Sequence, residues 1–193
     1  MKRLCVYCGS NPGSQPDYAE AAKKLARVLV ERNIEVVYGG ASVGLMGVLA
    51  NAILAQGGHV IGIIPQTLVD KEVAHPGLSD LRVVKSMHER KMLMAELSDG
   101  FIALPGGLGT IEEFFEVMTW ALLGLHQKPC GLLNIRDYYR SLIAFLDHAT
   151  SEQFINGVHR AMLLVEDQPE RLIERFERYR APSVAKWVDR TSA

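Results

Sequence analysis

The chain has 193 residues, 48% of them hydrophobic and 22% charged, which is the length and balance of one ordinary globular domain. Its 21 basic and 22 acidic side chains leave a formal net charge of −1, so the electrostatic footprint of a nucleic-acid binder is missing. Three cysteines are an odd number for a secreted disulfide framework, and neither a signal-peptide core nor a membrane-length apolar run is visible, so the expected compartment is the cytoplasm.

Short apolar runs alternate with longer amphipathic segments. Leu4 to Cys8 reads as a strand, and Asp17 to Arg32 as a helix with Ala22, Leu25, Ala26, Leu29 and Val30 on one face. Ile34 to Tyr38 is a second strand. Leu45 to Gln56 is a helix closed by Gly57-Gly58, and Val60 to Ile64 is a strand stopped by Pro65. A loop is expected from Gln66 to Ser79. Leu81 to Val84 then reads as a strand, Met87 to Leu97 as a helix, Phe101 to Leu104 as a strand and Ile111 to Leu123 as a helix. Cys130 to Leu133, Tyr138 to Glu152, Met162 to Val165 and Pro169 to Arg180 continue the alternation, ahead of an irregular tail over 181–193.

This order predicts an α/β fold, a Rossmann-like doubly wound parallel sheet with helices on both faces, built as a single domain over 1–193. The near-continuous apolar strands suit a sheet covered on both sides. Ligands of such folds sit beyond the carboxyl ends of the strands. Four loops there matter: Gly9 to Gly13, Gly39 to Gly47, Lys85 to Lys91 and Pro105 to Glu113.

Pro105-Gly106-Gly107-Leu108-Gly109-Thr110 leads from a strand into a helix. Its glycines permit positive φ and close approach, and the free N–H groups of the helix start favour an anion such as phosphate. The plain alternative is a tight turn. Neither the P-loop ending nor the dinucleotide glycine spacing is present. Gly40-Ala41-Ser42-Val43-Gly44 matches the nucleophile elbow of serine hydrolases, which makes Ser42 a rival nucleophile. Its position after the second strand and the lack of a patterned partner among His126, His148 and His159 speak against that reading.

Ser86-Met87-His88-Glu89 reads as a capping box. Arg90 follows on the apolar face with Leu93, Met94 and Leu97. A cation there is slightly disfavoured by the helix dipole, so it calls for a ligand contact or an ion pair. Thr110-Ile111-Glu112-Glu113 reads as a second capping box, which would put Glu113 at a helix N-terminus and keep it ionised; acids are ordinary there, so the residues alone favour a structural role. Cys5 and Cys8, three apart on a strand, point to opposite faces and form no redox pair. No cysteine or histidine spacing suggests a metal, and no cofactor is expected.

These stretches together resemble the Lonely-Guy family, also labelled lysine decarboxylase-like. The family hallmark Pro-Gly-Gly-x-Gly-Thr-x-x-Glu is present as residues 105–113, and Met-His-x-Arg-Lys as 87–91. The glycine turn Tyr38 to Gly47, the loop Cys8-Gly9-Ser10 and Thr119-Trp120 also look alike. Where many relatives have a third glycine, this chain has Ala41.

The resemblance implies a phosphoribohydrolase that splits adenosine 5′-monophosphate or N6-substituted (cytokinin) nucleotides into free base and ribose 5-phosphate. It implies Arg90 and Glu113 as catalytic residues, and a 5′-phosphate held by Pro105, Gly106, Gly107, Gly109 and Thr110. Gly9, Ser10, Gly40 and Gly44 would line the substrate. Met46 and Met87 would flank the base, with core packing the plain alternative. Lys91, Glu72 and Thr119 match more loosely. A homodimer with the site near its interface is also implied, a contact that the Met- and aromatic-rich helix over 111–123 could serve. A non-catalytic nucleotide-binding module on the same fold is the other reading that the residues leave open.

Overall fold

A computed structural model describes residues 1–71, 73–78 and 80–182. The expected tail therefore lies outside the described residues from 183 onward, and so does Glu72. Seven strands, β1 (Arg3–Tyr7), β2 (Glu35–Tyr38), β3 (Val60–Pro65), β4 (Asp80–Val84), β5 (Phe101–Ala103), β6 (Cys130–Leu133) and β7 (Leu163–Glu166), form one sheet. Their order is β4-β3-β2-β1-β5-β6-β7 and every pairing is parallel. This is the α/β architecture expected from the alternation.

Between the strands run α1 (Pro16–Glu31), α2 (Gly44–Leu54), α3 (Gln66–Val69), α4 (Met87–Leu97), α5 (Leu108–Leu122), α6 (Arg140–Ser151) and α7 (Gly157–Met162). The last helix, α8 (Pro169–Arg178), follows β7. Strand alternation splits the core in two. Leu4, Val6 and Cys8 pack with buried residues of α1, α2 and α8. Cys5 and Tyr7 pack on the other face with α4, α5 and Leu146 of α6. The two cysteines thus do face opposite ways, and Cys5, Cys8 and Cys130 are all free and buried.

Several boundaries differ from the sequence expectation. The 66–79 segment begins with the helical turn α3, which Pro65 starts as the N-cap. The helix expected over Tyr138 to Glu152 runs from Arg140 to Ser151, and a 3₁₀ turn at Ile135–Asp137 precedes it, with Arg136 at φ 52° and Asp137 at φ 58°. The short α7, begun by a glycine, was not expected at all. Helix α5 starts at Leu108, with Gly107 as its N-cap, rather than at Ile111. Thr110 therefore lies within the first turn and caps nothing, and Glu113 lies beyond that turn.

The topology fixes the position of the site. From the β4 edge the chain crosses back to the far side of β1 and enters β5. The helices that follow β1 and β5, α1 and α5, then pack on opposite faces of the sheet, which opens a crevice at the switch point where open α/β sheets hold ligands.

Candidate active site

At the crevice the β1 and β5 loops are tied together: the Gly9 N–H donates to the Pro105 carbonyl at 3.1 Å. Two adjoining hollows of about 280 and 250 Å³ flank this tie and share Ser10 and Gly107. The larger lies under Tyr18 and Tyr138 and takes Gly9, Pro105 and Gly106 into its wall. The smaller holds Ser10, Met46, Arg90, Gly107, Gly109, Thr110 and Glu113. The crevice thus gathers ten of the expected site residues from four separate loops.

Arg90 and Glu113 meet at the floor of the smaller hollow. Ser86 caps α4, its Oγ accepting the Glu89 N–H at 3.1 Å, while the Glu89 carboxylate accepts the Lys85 N–H at 2.8 Å. This reciprocal cap sets the first turn so that Arg90, one turn in, points under the sheet's carboxyl edge. Its Nε donates to the Ile63 carbonyl at 3.1 Å, and its Nη1 to Glu113 Oε1 at 2.7 Å. The two side chains are only 9% and 11% exposed. Gly39 is what lets the guanidinium lie across the end of β2, because a Cβ there would collide with Arg90 Nη2. Glu113 Oε2 has no partner among the described residues and is not sealed from the cavity. Arg90 Nη2 likewise keeps its donors.

The site therefore offers one carboxylate oxygen and one guanidinium nitrogen to a ligand. Burial pushes the Glu113 carboxyl above its ordinary value, and the Arg90 charge opposes that rise. The helix N-terminus expected to act on Glu113 is not what sets its charge: the residue lies beyond the first turn, and its environment makes it more basic than an ordinary glutamate.

The glycines of the β5–α5 loop divide by task. A Cβ on Gly106 would strike Thr110 and approach the Gly9 nitrogen, so this glycine packs loop against loop. Gly107 and Gly109 face open space within 4 Å. Neither they nor Gly106 adopt positive φ, contrary to the reading of this loop. Left-handed backbone occurs instead at Gly40 (φ 76°) and Gly44 (φ 56°), which turn the β2–α2 connection against β3 and the Ser10 backbone. Ala41 has no positive φ and is buried, so alanine is accommodated there. The first helical bond of α5 runs from the Ile111 N–H to the Gly107 carbonyl. The N–H groups of Leu108, Gly109 and Thr110 are left to face the hollow.

Other expected site residues stand apart. Gly40 and Gly44 line neither hollow but shape the turn behind them. Met87 is exposed, with its Sδ 3.8 Å from Arg90 Nη1. Lys91 is held between Glu112 (2.7 Å) and Glu116 (3.0 Å). Thr119 donates to the Phe115 carbonyl of its own helix. Ser42 Oγ donates to the Val73 carbonyl at 3.4 Å, with no histidine or carboxylate bonded to it among the described residues, so nothing there activates a nucleophile. Sequence reasoning missed Leu68 of α3 and the pair Tyr18 and Tyr138. Leu68 carries no pattern, and Tyr138 is aimed only by the left-handed turn before it.

A family model described as "Possible lysine decarboxylase" matches residues 46–176. The chain is 48% identical over 179 residues to "Cytokinin riboside 5'-monophosphate phosphoribohydrolase LOG7" of Arabidopsis thaliana, covering 93% of this chain and 82% of that protein. It is equally 48% identical to "Probable cytokinin riboside 5'-monophosphate phosphoribohydrolase LOGL6" of Oryza sativa subsp. japonica, covering 93% and 72%. The chain belongs to the Lonely-Guy family. Among solved structures, the molybdenum cofactor binding protein of Rippkaea orientalis superposes with a TM-score of 0.70 at 21% identity, covering 92% of this chain and 97% of that one. That likeness concerns the fold.

The residues do not fit the chemistry in the family model's description. A pyridoxal-type decarboxylase needs a lysine amine at its cavity. Among the described residues no lysine lines the smaller hollow, and Lys91, the nearest in sequence, is clamped by two carboxylates outside it.

Proposed function

We propose that this Lonely-Guy protein hydrolyses the N-glycosidic bond of adenosine 5′-monophosphate or its N6-substituted (cytokinin) derivatives, releasing the base and ribose 5-phosphate. The observation that carries this is the buried Arg90–Glu113 pair, with one carboxylate oxygen free in a hollow that also receives the N-terminus of α5. The names of the 48%-identical relatives support the same reaction.

The free N–H groups at the start of α5 and its dipole take the 5′-phosphate, with the open faces of Gly107 and Gly109 giving it room. The ribose then lies over the ion pair. As the bond from C1′ to the base nitrogen breaks, its electron pair leaves with the base and positive charge spreads over the ribose ring. Glu113 Oε2 accepts a proton from the water that attacks C1′, and the base takes up a proton from solvent. The upward shift of the Glu113 carboxyl suits a general base, and Arg90 fixes its orientation while Nη2 donates to a ribose hydroxyl. Lys91 acts on this site only by clamping α4 to α5.

A cytoplasmic homodimer completes the proposal. Three free, buried cysteines suit a reducing compartment. Met92, Trp120 and Leu125 line an apolar hollow of about 430 Å³ on the α4–α5 side, which suits contact with a second copy. Among the described residues, no helix is long and apolar enough to cross a membrane.

The test is incubation of the purified protein with adenosine 5′-monophosphate and with an N6-isopentenyl analogue, followed by chromatography. Free base and ribose 5-phosphate in equal amounts are the expected products. Saturable binding of both nucleotides without release of either base would replace the enzyme with a binding module.

A further inference from the structure

Leu68 of α3 lines the smaller hollow, and α3 together with residues 73–78 forms a strap along its wall. The strap is fastened to the β2–α2 turn by a short antiparallel ladder. The Ser42 N–H donates to the Val73 carbonyl at 2.9 Å, Ala41 pairs with Ala74, and the His75 N–H donates to the Gly40 carbonyl at 2.9 Å. The Val73 N–H in turn meets the Leu68 carbonyl at 3.4 Å, which links ladder to wall.

One side chain holds this ladder to the body of the protein. His75 is 6% exposed, unusual for a residue in an irregular connection. Its Nδ1 accepts the Gly77 N–H at 3.1 Å, which places the ring proton on Nε2, and Nε2 lies 3.1 Å from Asn51 Oδ1 on α2. Both ring nitrogens are used, and burial lowers the imidazole's pKa, so the ring is a fixed neutral clasp. The turn it braces is the one whose Gly39 lies against Arg90 Nη2.

We infer that His75 is a positioning residue, which with Asn51 clasps the strap as the substrate-retaining wall and acts on nucleotide affinity rather than on the chemical step. The inference rests on the phosphoribohydrolase reading of the same hollow. Removing the clasp leaves Arg90 bonded to Ile63 and Glu113, so the reacting groups keep their geometry. What loosens is the wall that closes over the bound nucleotide.

The test uses the full chain, with His75→Ala, Asn51→Ala and Asn51→Asp beside the wild type. Asn51 is exposed, so its variants report on the clasp even if His75→Ala folds poorly. Asparagine and aspartate both offer an oxygen to the His75 Nε2–H, so Asn51→Asp should rescue. Equilibrium binding of adenosine 5′-monophosphate is measured below the unfolding range, together with KM and kcat. The expected result is affinity about tenfold weaker and KM about tenfold higher in both alanine variants, kcat within about twofold, and recovery in Asn51→Asp. Unchanged affinity in a folded Asn51→Ala would overturn the inference, as would a fall in kcat at unchanged KM. Binding without base release by the wild type would count against the hydrolase reading alone, since the affinities still decide the role of the clasp.

Discussion

Consecutive residues of α4, Arg90 and Lys91, each bridge to α5, one to a single carboxylate and the other to two, and they differ in where they leave polar atoms free. Arg90 and Glu113 are 9% and 11% exposed, lie at the floor of the crevice, and keep a free nitrogen and a free oxygen toward it. Lys91 meets Glu112 and Glu116 at similar distances, but these carboxylates are 57% and 27% exposed and the cluster lines neither hollow. Adjacent residues on a helix point about 100° apart, so one position carries the chain from crevice to flank. Proximity within a motif therefore does not make both cations substrate contacts. In the proposed function the inner pair serves the chemistry and the outer cluster holds two helices together.

The sharpest way to break this contrast is to remove each cation. Arg90→Ala leaves Glu113 buried without a counter-charge and should cost about 3–5 kcal/mol of stability, read by denaturant unfolding, together with activity. The two faces of the glycine loop come next. Gly106→Ala forces a methyl against Thr110 and should cost about 1–3 kcal/mol. Gly109→Ala meets open space and should leave thermal stability unchanged or raised, yet weaken nucleotide binding by crowding the start of α5. Lys91→Met should leave kcat nearly intact and cost less stability than Arg90→Ala, since the Glu112 carboxylate is exposed and rehydrates while Glu116 is half-buried. If Lys91→Met lost activity as Arg90→Ala does, the division between inner and outer pair would fail.

The pH dependence sharpens it further. Burial raises the Glu113 carboxyl, so protonation should quench kcat/KM below a limb that lies above the ordinary glutamate value. Arg90 opposes that rise, so Arg90→Gln should carry the limb to still higher pH. A limb that stays put would mean that another group titrates.

The strands were legible because each is a continuous apolar run, and the β–α alternation carried the parallel pairing with it, though not the strand order. Arg90 stood out as a cation on an apolar face. The start of α5 was misjudged because Gly107-Leu108-Gly109-Thr110 has the composition of a turn while taking helical geometry. That error turned Thr110 into a false cap and hid the burial of Glu113. The burial itself comes from contact with a residue 23 positions away, which the pairing of β1 with β5 brings close. Tyr138 was out of reach for a similar reason: two consecutive left-handed residues, Arg136 and Asp137, place it, and neither is a glycine that would flag the turn.

The most direct test of the account is turnover by Glu113→Gln beside the wild type, with both shown to be folded by circular dichroism and thermal melting. The side chain keeps its shape and loses its basicity, so base release should fall by about 10²–10⁴-fold while adenosine 5′-monophosphate still binds. Equal release of base by the two proteins would contradict the assignment of Glu113 as the catalytic base.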